Sequence, residues 1–180
     1  NPNWFHYPGL HFYELGAVFV LGKALGMIQL VADEQFYIQN SEQGAMLYRL
    51  GRQLSWFYGL LTIALLGLWG WLLGRPWAGL WGAAFLAALP LHMVHSDYLT
   101  VDVESAFWAT LALVLLSVYC CGSASGGWRY WGIFGALGVA TAVKYPALLI
   151  MIAVLFGLWR KGELRHLWWP FTRRLLLGYA

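Results

Sequence analysis

Charge is what this sequence has least of. Of its 180 residues only 11 are Lys or Arg and 8 are Asp or Glu. A soluble domain of that length would carry about 45 charged residues. The shortage excludes a disordered chain, which needs charge and polarity to stay solvated. It also excludes a soluble globule, whose surface needs more polar cover than this. Cysteine is scarce as well: there are two, Cys120 and Cys121, and they are neighbours. Adjacent cysteines do not reach the usual disulfide geometry, so there is no stapled scaffold to read. They read as two small apolar residues at a helix end, with a reactive or lipidated pair as the alternative. No tandem repeat or low-complexity tract stands out.

What is present is apolar. Hydrophobic residues make up 61% of the chain, and 12 residues are Trp. The class this points to is all-α, a polytopic transmembrane helical bundle. Charge-free windows locate the spans. There are 22 residues between Arg52 and Arg75, 21 between Arg75 and Asp97, and 24 between Glu104 and Arg129. A helix crosses a hydrocarbon core in about 20 residues. The predicted membrane helices are 54–74, 76–96, 105–121, 130–143 and 146–159, about five segments in all. The last two come from one apolar run, Trp131 to Trp159, interrupted by Lys144-Tyr145-Pro146. Pro146 removes a backbone donor and pushes Tyr145 out of the helical region. A tilted or re-entrant pair also fits these two short segments.

Residues 1–43 read as an outer loop with an N-terminal interfacial helix, since Leu10 to Leu30 is apolar but broken by His11, Glu14, Lys23 and Gln29. A span is the other reading of that stretch. Asp33 to Gln43 is polar and reads as loop, and 160–174 reads as a cytoplasmic loop. The chain starts without Met and stops as an apolar run begins, so it is expected to be truncated at both ends.

The net charge is +3, but its placement says more. If the loop with Asp33, Glu34 and Glu42 is outside, alternation puts Arg75, Arg129, Arg160, Lys161, Arg165, Arg173 and Arg174 inside. Asp97, Asp102, Glu104 and Lys144 fall outside, and Glu163 is the one acid inside. The opposite orientation violates the positive-inside rule in nearly every loop. Gly132, Gly135, Gly138 and the pair Gly22 and Gly26 offer small faces for close helix packing.

Polar groups gather on the outer side: His6, His11, Glu14, His92 or His95, Asp97, Asp102, Glu104 and Lys144. Such a cluster beside a bilayer suggests an outward-facing site. The stretch His95 to Glu104 holds three carboxylates in a short loop. They can bind a divalent cation, act as acid and base, meet an acceptor, or simply be solvated with Asp102 or Glu104 favouring a helix N-terminus. Their spacing matches no defined metal loop, so the metal, if any, stays unknown. Lys144 and Arg52 are each either an interfacial snorkelling cation or a cation aimed at a lipid phosphate. Arg is the better phosphate partner of the two, through its planar fork. His6 is a proton carrier or polar filler. Trp and Tyr at span ends read as interfacial belt residues.

Four stretches carry a resemblance. Asn1-Pro2-Asn3-Trp4-Phe5-His6-Tyr7-Pro8-Gly9-Leu10-His11-Phe12-Tyr13 resembles the outer loop of polyprenyl- or dolichyl-phosphate-sugar-dependent glycosyltransferases, the protein O-mannosyltransferase and aminoarabinose transferase-like families of the GT-C superfamily. Gly9 stands where those families carry a second Pro. Tyr48-Arg49-Leu50-Gly51-Arg52-Gln53-Leu54-Ser55 resembles their Arg-containing approach to the next span. Pro90 through Asp102, with Phe107, resembles the loop bearing their second acidic residue, at Asp102. Gly138-Val139-Ala140-Thr141-Ala142-Val143-Lys144-Tyr145 resembles their Gly-rich helix ending in Lys. Each motif alone is weak; four in order on one topology carry the likeness over nearly the whole chain.

The resemblance implies an integral membrane enzyme with its site on the outer or lumenal face. It would take a hexosyl or pentosyl group from a lipid-linked sugar donor to a hydroxyl on a protein, lipid or glycan acceptor. It implies a supporting catalytic role for Asp102 and lipid-phosphate binding by His6, Tyr7, Arg52 and Lys144. His95, Asp97 and Glu104 are the candidate acceptor or metal loop. A divalent cation is the one cofactor to consider. The catalytic base is expected upstream of residue 1. A prokaryotic plasma membrane is favoured over the endoplasmic reticulum, and no nucleic-acid partner is expected. Two other classes compete: a transporter or channel segment, and a structural membrane-assembly domain. The long charge-free windows count against an ion path.

Overall fold

The computed structural model describes residues 9–121 and 127–163, the side chains of 127–129 excepted. Among them every regular element is a helix. The order is α1 (Leu10–Ala24), α2 (Glu34–Gln39), α3 (Ser41–Leu72), α4 (Pro76–Ala88), α5 (Pro90–Asp97), α6 (Val101–Cys121), α7 (Gly127–Val143), a 3₁₀ turn (Tyr145–Leu149) and α8 (Ile150–Arg160). This is the expected all-α bundle. Two helices, α3 and α6, are long and apolar enough to cross a membrane. There are three such spans if the bent pair α4–α5 is counted as one. The apolar helices after Tyr130 are shorter than a span.

The polar stretch read as loop is largely helical. Asp33 caps α2, its carboxylate accepting from the Gln35 backbone N–H at 3.0 Å. Then α3 starts at Ser41 and runs for 32 residues, about 48 Å at 1.5 Å each. Glu42, Gln43, Ala45, Met46 and Leu47 are good helix formers, so polarity there does not stop the helix. Residues 41–53 therefore carry Arg49 and Arg52 on a continuous, rigid element.

Turns follow from a few residues. Gly74, at φ +70°, ends α3, and the Arg75 N–H reaches the Gly70 carbonyl at 2.8 Å. That is a Schellman end, which needs a left-handed residue. Pro76 then opens α4, where its missing donor costs nothing. Pro90 does the same for α5, and Leu89 ahead of it is extended, so α4 and α5 meet at a 61° bend. The break near Lys144 also appears, with one difference. Lys144 itself is the extended residue (φ −150°, ψ 119°), and Tyr145 opens the 3₁₀ turn.

Glycine does the close packing, at positions other than most of those expected. Gly51, Ser55 and Gly59 form one stripe on α3, at one-turn spacing. Leu99 packs on Gly51 and Ser96 on Gly59. Gly70 and Gly79 put the backbones of α3 and α4 in direct contact. Gly22 does seat Leu50 and Ile28, as its small size suggested. Gly26 instead ends α1 at φ +71°, and no neighbour stands within 4 Å of a side chain built at Gly135 or Gly138.

The densest core lies where α6, α7 and α8 meet, around Ala112, Leu116, Ile133, Leu137, Val154 and Leu158. At the far end of α6 the Tyr119 hydroxyl bonds Tyr130 and Glu163, each at 2.7 Å. Lys161 bonds the Tyr119 carbonyl and sits 3.9 Å above its ring. These contacts tie together the ends of the three helices. The Cys120 thiol contacts the Gly157 carbonyl there, and both cysteines are free. With this end fixed, the opposite end of α6 brings together a second set of ionisable groups.

Candidate functional site

The first turn of α6 carries Asp102 and Glu104, and each meets a different partner. Lys144, at the end of α7, donates to Asp102 Oδ1. The other Asp102 oxygen stands 3.6 Å from His95 Nδ1. That is too long for a hydrogen bond and becomes an ion pair when the imidazole is protonated. Two residues on, at the end of α5, Asp97 accepts from Arg52 on α3 and from Trp56 Nε1, the latter at 3.2 Å. Two sets of charges thus meet at the last turn of α5: Lys144, Asp102 and His95 on one side, and Asp97 with Arg52 on the other. The α3 stripe of small residues lets α5 lie close enough for this.

Glu104 is not on an open loop. It lies inside the bundle, where its carboxylate meets His11 Nδ1 on α1 at 2.5 Å. The side chains are 1% and 5% exposed. By contrast Asp102 and Lys144 are 36% and 30% exposed. The difference sorts the pairs. An open pair contributes little to stability and can exchange partners cheaply. A closed pair that loses one member leaves a buried polar group uncompensated, at about 3–5 kcal/mol when that group is charged.

One turn along α1, Glu14 accepts from the Tyr58 hydroxyl at 2.8 Å. Burial pushes the Glu14 carboxyl above its ordinary value of 4.5; the Tyr58 bond and His11 oppose the rise, and the Glu104 charge adds to it. The folded state then holds a proton that the unfolded state has released. Stability should fall as pH rises from 4.5 through that raised value. Glu14→Gln is expected to flatten that part of the thermal midpoint against pH in detergent. A wild-type and variant difference that stays constant with pH would contradict it.

The three carboxylates read as a metal or acceptor loop are therefore distributed: Asp97 to Arg52, Asp102 to Lys144, Glu104 to His11. Among the described residues no group of three His, Cys, Asp or Glu side chains is placed to hold a metal ion. His6 and Tyr7 lie outside the described residues.

Beside the Arg52–Asp97 pair is a cleft of about 570 Å³ between α3 and the α4–α5 pair, with Asp97 in its wall. Trp56, Leu60, Ile63, Met93 and Tyr98 give it apolar walls; His92, Ser96 and Asp97 supply polar groups. Its size suits a small-molecule ligand. Trp56 also borders a smaller hollow lined by Arg49, Arg52 and Gln53. An apolar cleft next to a guanidinium fits an amphiphile with an anionic head.

Sequence reasoning did not single out Trp56 or Tyr58. The signal for both was helical spacing. Trp56 lies one turn from Arg52, on the same face. Tyr58 belongs to the buried stripe Gly51, Ser55, Tyr58, Gly59 and Thr62.

In a comparison with protein families, the sequence model of dolichyl-phosphate-mannose-protein mannosyltransferase matches residues 19–177. No match was found among curated proteins or among solved structures.

Proposed function

We propose a function from one premise: the chain belongs to the dolichyl-phosphate-mannose-protein mannosyltransferase family. It is thus an integral membrane protein of a mannosyltransferase-type glycosyltransferase family, which sets aside the transporter and assembly readings. The finer reading is that it moves mannose from a polyprenyl-phosphate carrier to a protein hydroxyl at the outer or lumenal face. The observation that carries this is the open Arg52–Asp97 pair at the edge of the apolar cleft, with the open Lys144–Asp102 pair as a second cation held by a carboxylate. The basic residues collected at the opposite end by sequence support the orientation.

The chemistry follows from charge. The acceptor oxygen attacks the anomeric carbon and gives its proton to a carboxylate base. The bond from that carbon to the phosphate oxygen breaks, and the phosphate leaves with the electron pair. Negative charge grows on the phosphate as it departs, so cations poised beside it favour the transition state. Arg52 and Lys144 take that role, with Asp97 and Asp102 holding them in place until the phosphate arrives. Asp102 orients Lys144 and does not take the acceptor's proton. His6 and Tyr7 are assigned to the same phosphate on sequence likeness.

The test is transfer by the full-length protein in proteoliposomes. Polyprenyl-phosphate-linked, labelled mannose and a Ser/Thr-containing peptide should yield labelled peptide. Arg52→Ala should raise the donor KM about tenfold or more, the size of one lost charge-assisted hydrogen bond. Arg52→Lys should recover part of the loss. No transfer by the wild type, or an unchanged KM in Arg52→Ala, would overturn the assignment.

A further inference from the structure

We propose that His11 and Glu104 are positioning residues: their closed pair locks α1 onto the first turn of α6 and so fixes Asp102 against Lys144 for the transfer step. This rests on the transfer reading above, but it starts from a separate observation. The two residues are 93 apart in sequence, buried, and 2.5 Å from each other. Neither touches the open pairs.

The geometry connects them to those pairs. Glu104 follows Asp102 by two residues in the same helical turn. The Ser105 hydroxyl, next in line, faces the Ala140 carbonyl of α7, one turn ahead of Lys144. Helix α1 packs on α3 and on α7. It grips at two points on one face: His11 on Glu104 of α6, and Glu14 on Tyr58 of α3. The second Glu104 oxygen is buried without a hydrogen bond of its own, and Glu14 lies near enough for the Glu104 charge to act on it, so His11 is the cationic or donor partner within a closed cluster of His11, Glu14 and Glu104.

The open pairs cannot supply this order themselves. Lys144 and Asp102 are partly exposed, and a long lysine held by one exposed contact loses little on swinging away. The backbone under Asp102 has to be held from within the bundle. A closed pair that is costly to break does so, beside the buried Val103, without blocking access to the site. Phosphate capture would tolerate a loosened α6 turn better than the chemical step does, because misplacement acts mainly on the transition state.

The test uses the full-length protein in proteoliposomes with two readouts. One is transfer kinetics with polyprenyl-phosphate-linked mannose; the other is the rate at which an amine reagent modifies Lys144, followed by mass spectrometry. His11→Ala should lower kcat about tenfold or more while the donor KM moves less than about threefold, and should speed Lys144 modification. His11→Asn, which keeps a donor near Nδ1, should restore most of both. If His11→Ala does not fold, Glu104→Gln carries the same readouts, with a smaller kcat loss and faster Lys144 modification expected. Unchanged kcat per folded molecule, or unchanged Lys144 reactivity, would overturn the proposal. If the wild type transfers no sugar, the transfer reading fails, and Lys144 reactivity alone still decides whether the pair holds that residue.

Discussion

Asp102→Asn is expected to lower turnover of the full-length enzyme about 100-fold or more, while the donor KM stays level or falls. Asparagine keeps the shape and loses the charge. Lys144 then lacks the partner that orients it, and His95 loses its neighbouring carboxylate. The freed ammonium can still bind a phosphate in the ground state, even more readily than before. It no longer sits where charge develops in the transition state. A lower kcat with an equal or lower KM is the signature of that split. Steady-state kinetics in proteoliposomes, with the amount of folded protein normalised, measures it. Turnover near wild type would remove Asp102 from the site.

The largest structural effect is expected at Gly79. Here α4 crosses α3 with Gly70 opposite, and a β-carbon on Gly79 would meet the Gly67 carbonyl at 2.5 Å and the Gly70 backbone. These are helix backbones, which cannot rotate aside as a side chain can. Gly79→Ala must therefore push α4 away from α3. Small-residue crossings hold membrane helices together mainly through close packing, so separation loses the contact outright. Overpacking of this kind costs about 1–3 kcal/mol, and more where the backbone cannot yield. Because α5 hangs from α4, Asp97 would move off Arg52 as well. Gly82→Ala is the matched control on the same helix, since its added carbon would meet only the Leu66 side chain at 3.4 Å. The measurement is the thermal midpoint and monodisperse yield in detergent. Gly79→Ala should lower both sharply and Gly82→Ala should leave both near wild type. Equal behaviour of the two would contradict the crossing.

Much of this was legible from the chain, because membrane helices announce themselves by missing charge. The windows around α3 and α6 needed only counting. The break at Lys144 and Pro146 followed from proline chemistry, though the extended residue proved to be Lys144 and not Tyr145. Element ends were harder. Helix α3 begins at Ser41, far ahead of its apolar part, since hydropathy marks where a helix enters lipid and not where it starts. The α4–α5 bend was hidden for a related reason: Pro90 sits in an apolar window that reads as one span.

The site was legible as a set of residues and not as an arrangement. Charge placement gathered His6, His11, Glu14, His92 or His95, Asp97, Asp102, Glu104 and Lys144 at one end, with Arg52 singled out apart from them. It could not say that Asp102 and Glu104, two residues apart, would serve one open and one closed pair. That outcome depends on where α1 docks, which is a tertiary fact. Tyr58 was invisible for the same reason. Inside a charge-free window a phenol looks like any aromatic, until Glu14 arrives from α1 to accept the hydrogen bond its hydroxyl donates.

In the proposed reaction the open pairs receive a lipid phosphate. Equilibrium binding of sugar-free polyprenyl phosphate to the full-length protein tests it without needing the acceptor. Lys144→Ala should weaken binding about tenfold or more, as expected for losing a charge-assisted contact, and Lys144→Arg should recover part of it. Equal affinity for wild type and Lys144→Ala, with both folded, would contradict it.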